Sequence, residues 1–97
     1  NMPLSRRNDV VKIIPATLDI ARVESELKTS DVAAIIKVGR HYQPIRALLH
    51  RLGLAASATI VERATQHDQR IRPVAMTDDA ILPYFSTILV RRESRSS

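Results

Sequence analysis

The apolar positions change period along the chain, and each change marks an element. Val10 to Ile14 is a short β-branched run closed by Pro15, which has no N–H to give to a ladder, so it reads as a strand. Ile20, Val23 and Leu27 then fall at i, i+3 and i+7, the stripe of a helix with Thr17 or Asp19 as N-cap and Glu24 and Glu26 facing outward. Thr29-Ser30-Asp31 closes it. From Val32 the pattern is a continuous apolar run without polar alternation, which suits a strand covered on both faces. Lys37 is its first charge and marks its end, and Gly39 lets the backbone turn with positive φ or approach a bound group. Pro44 suits the first turn of a second helix carrying the stripe Ile45, Leu48, Leu49 and Leu52. Gly53 stops it, with Leu54 folding back toward Leu49.

A third strand is predicted from about Ala58 to Glu62, which makes the order β-α-β-α-β and implies strands running in one direction. After the polar stretch 63–68, Gln69 to Val74 alternates with Arg70 and Arg72 on one face, Asp78 and Asp79 sit at a turn or a single helical turn, and Tyr84 to Val90 is a last strand. No helix of useful length separates these late strands, so they are expected to be antiparallel. The fold class is therefore α/β, a mixed sheet of about five strands with two principal helices. Residues 1–9 read as an interdomain lead-in, 10–90 as one domain, and 91–97 as a frayed tail. Asn1-Met2-Pro3-Leu4 reads as the interior of a longer polypeptide.

Composition narrows the function classes. The net charge of +5 points toward nucleic acid until it is located: Arg6, Arg7, Arg91, Arg92 and Arg95 lie at the ends, while residues 8–90 hold ten Lys or Arg against nine Asp or Glu. Tyr42, Tyr84 and Phe85 are the only aromatics and none is spaced along a basic stripe, so no base-stacking platform is expected. No apolar run approaches the roughly 20 residues that span a bilayer, and neither a membrane partner nor a signal segment is expected. With no cysteine, thiolate metal sites and disulfides are excluded, and His41, His50 and His67 lack ligand-spaced partners, so no metal is expected either. A cytoplasmic location is the expectation.

Three short segments carry a resemblance. Ile36-Lys37-Val38-Gly39-Arg40-His41, then Val61-Glu62-Arg63-Ala64-Thr65 with Gln69-Arg70, then Pro83-Tyr84-Phe85-Ser86 before a final apolar strand, together resemble the C-terminal half of the tetrapyrrole methylases, in particular those of cobalamin biosynthesis. The stretches Pro3-Leu4-Ser5-Arg6-Arg7-Asn8-Asp9 and Ile14-Pro15-Ala16-Thr17-Leu18 fit the same family, so the likeness covers essentially the whole chain in order. It implies a two-domain homodimer with S-adenosylmethionine folded in the cleft between the halves. The family's glycine-rich N-terminal half is absent from this sequence. The resemblance places Lys37, Val38 and Gly39 where strand-end backbone meets the cofactor's methionine and ribose portion, and Ala64 and Thr65 where backbone meets adenine. Related uroporphyrinogen methylases carry Tyr-Met-Gly where this chain has Lys37-Val38-Gly39.

The implied substrate is a reduced tetrapyrrole bearing acetate and propionate groups, for which Arg40, Arg63, Arg70 and Arg72 are the candidate guanidinium donors. His41 is the single candidate for removing a proton after methylation. Two rivals stand beside this reading. One is a methylase acting at another ring position, and the other is a non-catalytic interaction or dimerisation domain.

Overall fold

The computed structural model describes residues 10–63, 69–79 and 81–92. Five strands and two helices follow in the order β1 (Val11–Pro15), α1 (Ile20–Lys28), β2 (Val32–Ile36), α2 (Tyr42–Arg51), β3 (Ala58–Arg63), β4 (Gln69–Pro73) and β5 (Thr87–Arg91). They form one mixed sheet in the order β1-β2-β5-β3-β4. Only β1 and β2 pair in parallel, Val11 against Val32 through Pro15 against Ile36, and the other three pairings are antiparallel. The last strand thus enters the middle of the sheet, between β2 and β3, and not an edge. Because β5 runs against both neighbours, β3 still points the same way as β1 and β2, as the β-α-β-α-β pattern requires.

Both helices cover one face. Ile14, Ala33, Ile35, Ala58, Ile60, Ile88 and Val90 turn toward them and are buried with Val23 and Leu27 of α1 and Tyr42, Ile45, Leu48 and Leu49 of α2. The helices touch each other, and Arg51 of α2 reaches Glu24 of α1 at 3.3 Å. Glu24 and Glu26 are not simply solvated: Glu24 also meets Lys28 at 3.2 Å, and Glu26 binds Lys12 of β1 at 2.8 Å and Arg22 at 3.1 Å. These pairs hold both carboxyls below the ordinary glutamate value, the hydrogen bonds from Lys28 and Lys12 being the largest causes.

The opposite face corrects the expectation that β2 is covered on both sides. Val32, Ala34 and Ile36 lie there half-buried beside Ile13 at 68% exposed and Leu89 at 44%, and no described element packs over them.

Helix ends follow their sequence signals. Asp19 is the N-cap of α1, although its side chain makes no capping bond. At the end of α2, the Leu54 N–H donates to Leu49 O at 2.8 Å and the Gly53 N–H to His50 O at 3.1 Å, with Gly53 at φ +75°; this is the Schellman stop that the sequence predicts. Two boundaries move. The expected strand from Tyr84 begins only at Thr87, because Pro83 to Ser86 form a turn closed by the Ser86 N–H on Pro83 O at 2.9 Å. The single helical turn lies at Val74–Met76, ahead of Asp78 and Asp79. Nor does a tail begin at residue 91: β5 runs through Arg91, and the Arg92 N–H donates to Asp31 O at 2.9 Å while its guanidinium caps the carbonyls of Leu27 and Lys28.

Candidate functional site

With β1, β2 and β3 running one way, their carboxyl ends share one edge of the sheet, the edge at which ligands bind in open α/β folds. Ala16 and Thr17 follow β1 there, Lys37 to His41 follow β2, and Arg63 ends β3. A cavity of about 460 Å³ opens at this edge, lined by Thr17, Gly39, Arg40, His41, Leu82 and Tyr84. That volume lies within the range of roughly 300 to 1,000 Å³ typical of small-molecule sites.

The loop after β2 has an uncommon backbone. Lys37 adopts φ +57° and Gly39 φ +39°, with Val38 in ordinary right-handed helical geometry between them. A positive φ at a lysine is uncommon and is held here by its surroundings. The Val38 N–H donates to Ser86 O at 3.2 Å, Val38 O accepts from His41 N–H at 2.7 Å, and Gly39 O accepts from Leu82 N–H at 3.0 Å. These groups are spent on the loop's own structure. The side chains of Arg40 and His41 line the cavity beside them. Gly39 is buried, and a Cβ on it would stand 3.3 Å from Tyr84 Cα, so its missing side chain makes room for the 83–86 turn.

The four arginines divide. Arg40 is exposed at the cavity and pairs with no carboxylate among the described residues. Arg72 instead donates to the carboxylate of Glu62, itself 3% exposed, and to Asp79 at 3.0 Å, and these partners hold its guanidinium still more firmly protonated. Arg70 stands 3.8 Å from Glu62. Arg63 ends β3, but its side chain, like Ala64, Thr65 and His67, lies outside the described residues. Close by, the Tyr42 phenol, raised above its ordinary value by burial, donates to Thr77 O at 2.5 Å, and Arg46 Nε donates to the same carbonyl at 2.8 Å.

The edge thus brings together Gly39, Arg40 and His41 in one cavity, with Lys37 exposed beside it and Val38 buried beneath. Thr17, Leu82 and Tyr84 are the lining residues that the sequence did not single out as site residues. Tyr84 stood in a recognised motif, and Thr17 follows the carboxyl end of a strand. Among the described residues no three of His, Asp and Glu meet as metal ligands would.

No family model matches the chain. Curated proteins do. The cobalamin biosynthesis protein CobIJ of Mycobacterium bovis is 35% identical over 88 residues, 91% of this chain and 17% of that protein. The precorrin-2 C(20)-methyltransferase of a Sinorhizobium species is 35% identical over 89 residues, 92% of this chain and 36% of the relative. The chain is similar to these cobalamin-pathway proteins along nearly its whole length. A cobalt-precorrin-2 C(20)-methyltransferase of Salmonella typhimurium, 34% identical over 94 residues, covers 95% of the chain. The chain spans less than half the length of each of these relatives, 40% in the Salmonella case. No helix among its described residues is long and apolar enough to cross a membrane.

Proposed function

We propose that this chain is the C-terminal domain of an S-adenosylmethionine-dependent precorrin-2 C20-methyltransferase of cobalamin biosynthesis. The observation that carries the reading is the match to relatives of that name along more than nine-tenths of the chain. The cavity at the carboxyl edge supports it. There the residues of the matched Lys37-Val38-Gly39-Arg40-His41 segment stand beside a volume suited to a small molecule. When bound, S-adenosylmethionine supplies an electrophilic methyl group on a sulfonium.

The chain's own residues do the rest by placement. Alignment of a nucleophilic carbon with a methyl group is worth roughly 7 to 11 kcal/mol when both are held in line. The hydrogen bonds that lock Val38 and Gly39 to the 82–86 segment keep one wall of the cavity fixed for that alignment. Arg40 provides a cation for an acetate or propionate of the substrate. Half-buried His41 lines the same cavity, and in this reading it receives the proton that the methylated carbon sheds. The adenine contact assigned to Ala64 and Thr65, the second domain and the homodimer belong to the same proposal.

The test replaces the matched segment of the Sinorhizobium enzyme with this chain. The chimera is expected to transfer one methyl group from S-adenosylmethionine to precorrin-2 at C20, read by mass and by carbon-13 labelling. Methylation at another ring position would assign the chain to a different methylase of the pathway. A folded chimera that binds no methyl donor would sink the enzyme reading in favour of an interaction domain.

A further inference from the structure

The aromatic side chains are divided unequally. Tyr42 is fully buried, whereas Tyr84 and Phe85 are 57% and 72% exposed on one turn. The Ser86 N–H bonded to Pro83 O makes them the two central residues of that turn. Two large rings at a solvent-facing corner run against the burial that such side chains ordinarily gain. Such local departures concentrate at functional sites.

The turn is also held firmly. Its two flanks are tied to the loop after β2 by Val38 N–H on Ser86 O at 3.2 Å and Leu82 N–H on Gly39 O at 3.0 Å. Gly39 lets the Tyr84 backbone approach so closely that a Cβ would stand 3.3 Å from Tyr84 Cα. The rings meet edge to face, with centroids 4.7 Å apart and planes at 72°. Tyr84 lines the same cavity as Arg40. A flat ligand lying on one ring meets the other at its side, so the pair can grip a conjugated plane from two directions. Its anchored backbone leaves little to be ordered on binding.

We infer that Tyr84 and Phe85 form an aromatic lip that takes the flat face of a tetrapyrrole macrocycle, with the Arg40 guanidinium receiving a peripheral carboxylate. This rests on the methyltransferase reading and goes beyond it by naming the seat of the substrate on this domain.

The test titrates the 97-residue chain with uroporphyrin, an air-stable octacarboxylate macrocycle, and follows its absorption and fluorescence. Saturable binding is expected, weakened roughly tenfold by Tyr84→Ala and by Phe85→Ala and unchanged by Tyr84→Phe, which keeps the ring and loses the hydroxyl. Arg40→Ala should weaken binding and flatten its salt dependence. Circular dichroism of each variant checks that the fold is retained. Binding that survives both alanine substitutions, or no binding by the folded wild-type chain, would overturn the lip. A parallel titration with S-adenosylmethionine separates the two readings. Donor binding without macrocycle binding removes the lip and leaves the methyltransferase reading standing. Loss of donor binding in Tyr84→Ala with macrocycle binding intact gives the ring to adenine and overturns the proposal.

Discussion

Two arginine-bearing regions share the carboxyl edge of the sheet and use their charge in opposite ways. At the β3–β4 hairpin, Arg72 binds the buried Glu62 and Asp79, joining strands and loop, while Arg70 stands exposed 3.8 Å from Glu62. At the end of β2, Arg40 has no described carboxylate partner and faces a cavity beside two exposed rings. The difference teaches that an arginine's residue type and its place at a strand end do not make it a ligand contact. What decides is whether the fold supplies an internal carboxylate first.

The comparison breaks most visibly at Arg72. Arg72→Ala leaves Glu62 buried with, among the described residues, only Arg70 at 3.8 Å, and loss of one partner of a buried pair should cost about 3 kcal/mol, read as a shifted urea midpoint. An unchanged midpoint would mean that water replaces the guanidinium and that Arg72 is free to serve a ligand after all.

The two glycines sharpen it next. Gly39→Ala meets both a positive φ and the Tyr84 backbone at 3.3 Å, so about 2 kcal/mol of stability should be lost, together with ligand binding as the turn is pushed out. Gly53→Ala has open space around its Cβ and only the left-handed backbone to resist it, so it should cost about 1 kcal/mol and leave binding alone. Thermal melts of the pair decide this. Equal losses would make Gly39 an ordinary turn glycine.

Arg40→Ala, by contrast, should change stability by less than about 0.5 kcal/mol. A clear fall in its melting temperature would show Arg40 to be a structural residue like Arg72.

The smallest effect belongs to the ion pairs between the helices and β1. Because Glu24 and Glu26 titrate below the ordinary glutamate value when folded, the stability they add is complete above that value and is lost as pH falls through their lowered ones. Lys12→Ala removes the largest cause at Glu26, so the variant's acid-unfolding curve should lie nearer to a pH-independent line in that window. A wild-type slope in the variant would assign the acid sensitivity elsewhere.

Much of the fold was legible because period and punctuation agree with tertiary packing. The stripe from Ile45 to Leu52, Gly53 and Leu54 predicted both the helix and its stop, since each depends on neighbours in sequence. The place of β5 was not legible, because strand order depends on long-range pairing that no local pattern encodes. The apolar run of β2 was read as covered on both sides. Composition reports that burial is favourable, not that an element of the chain supplies it. At the site, the positive φ of Gly39 followed from residue type, while that of Lys37 did not, because tertiary hydrogen bonds impose it. The division of the arginines could not be read either. It rests on Glu62 lying opposite Arg70 in the β3–β4 register, two pairs along from Ile60 opposite Arg72, and on a loop that returns Asp79.

The most direct test is a nitrogen-15 amide map of this chain titrated with S-adenosylmethionine and, separately, with uroporphyrin. The perturbed amides should cluster at Thr17, Lys37 to Tyr42 and Leu82 to Ser86, with Glu62, Arg70, Arg72 and Asp79 left near their free positions. Perturbations centred on Arg70 and Arg72, with the Gly39 cavity silent, would contradict the assignment of the ligand edge.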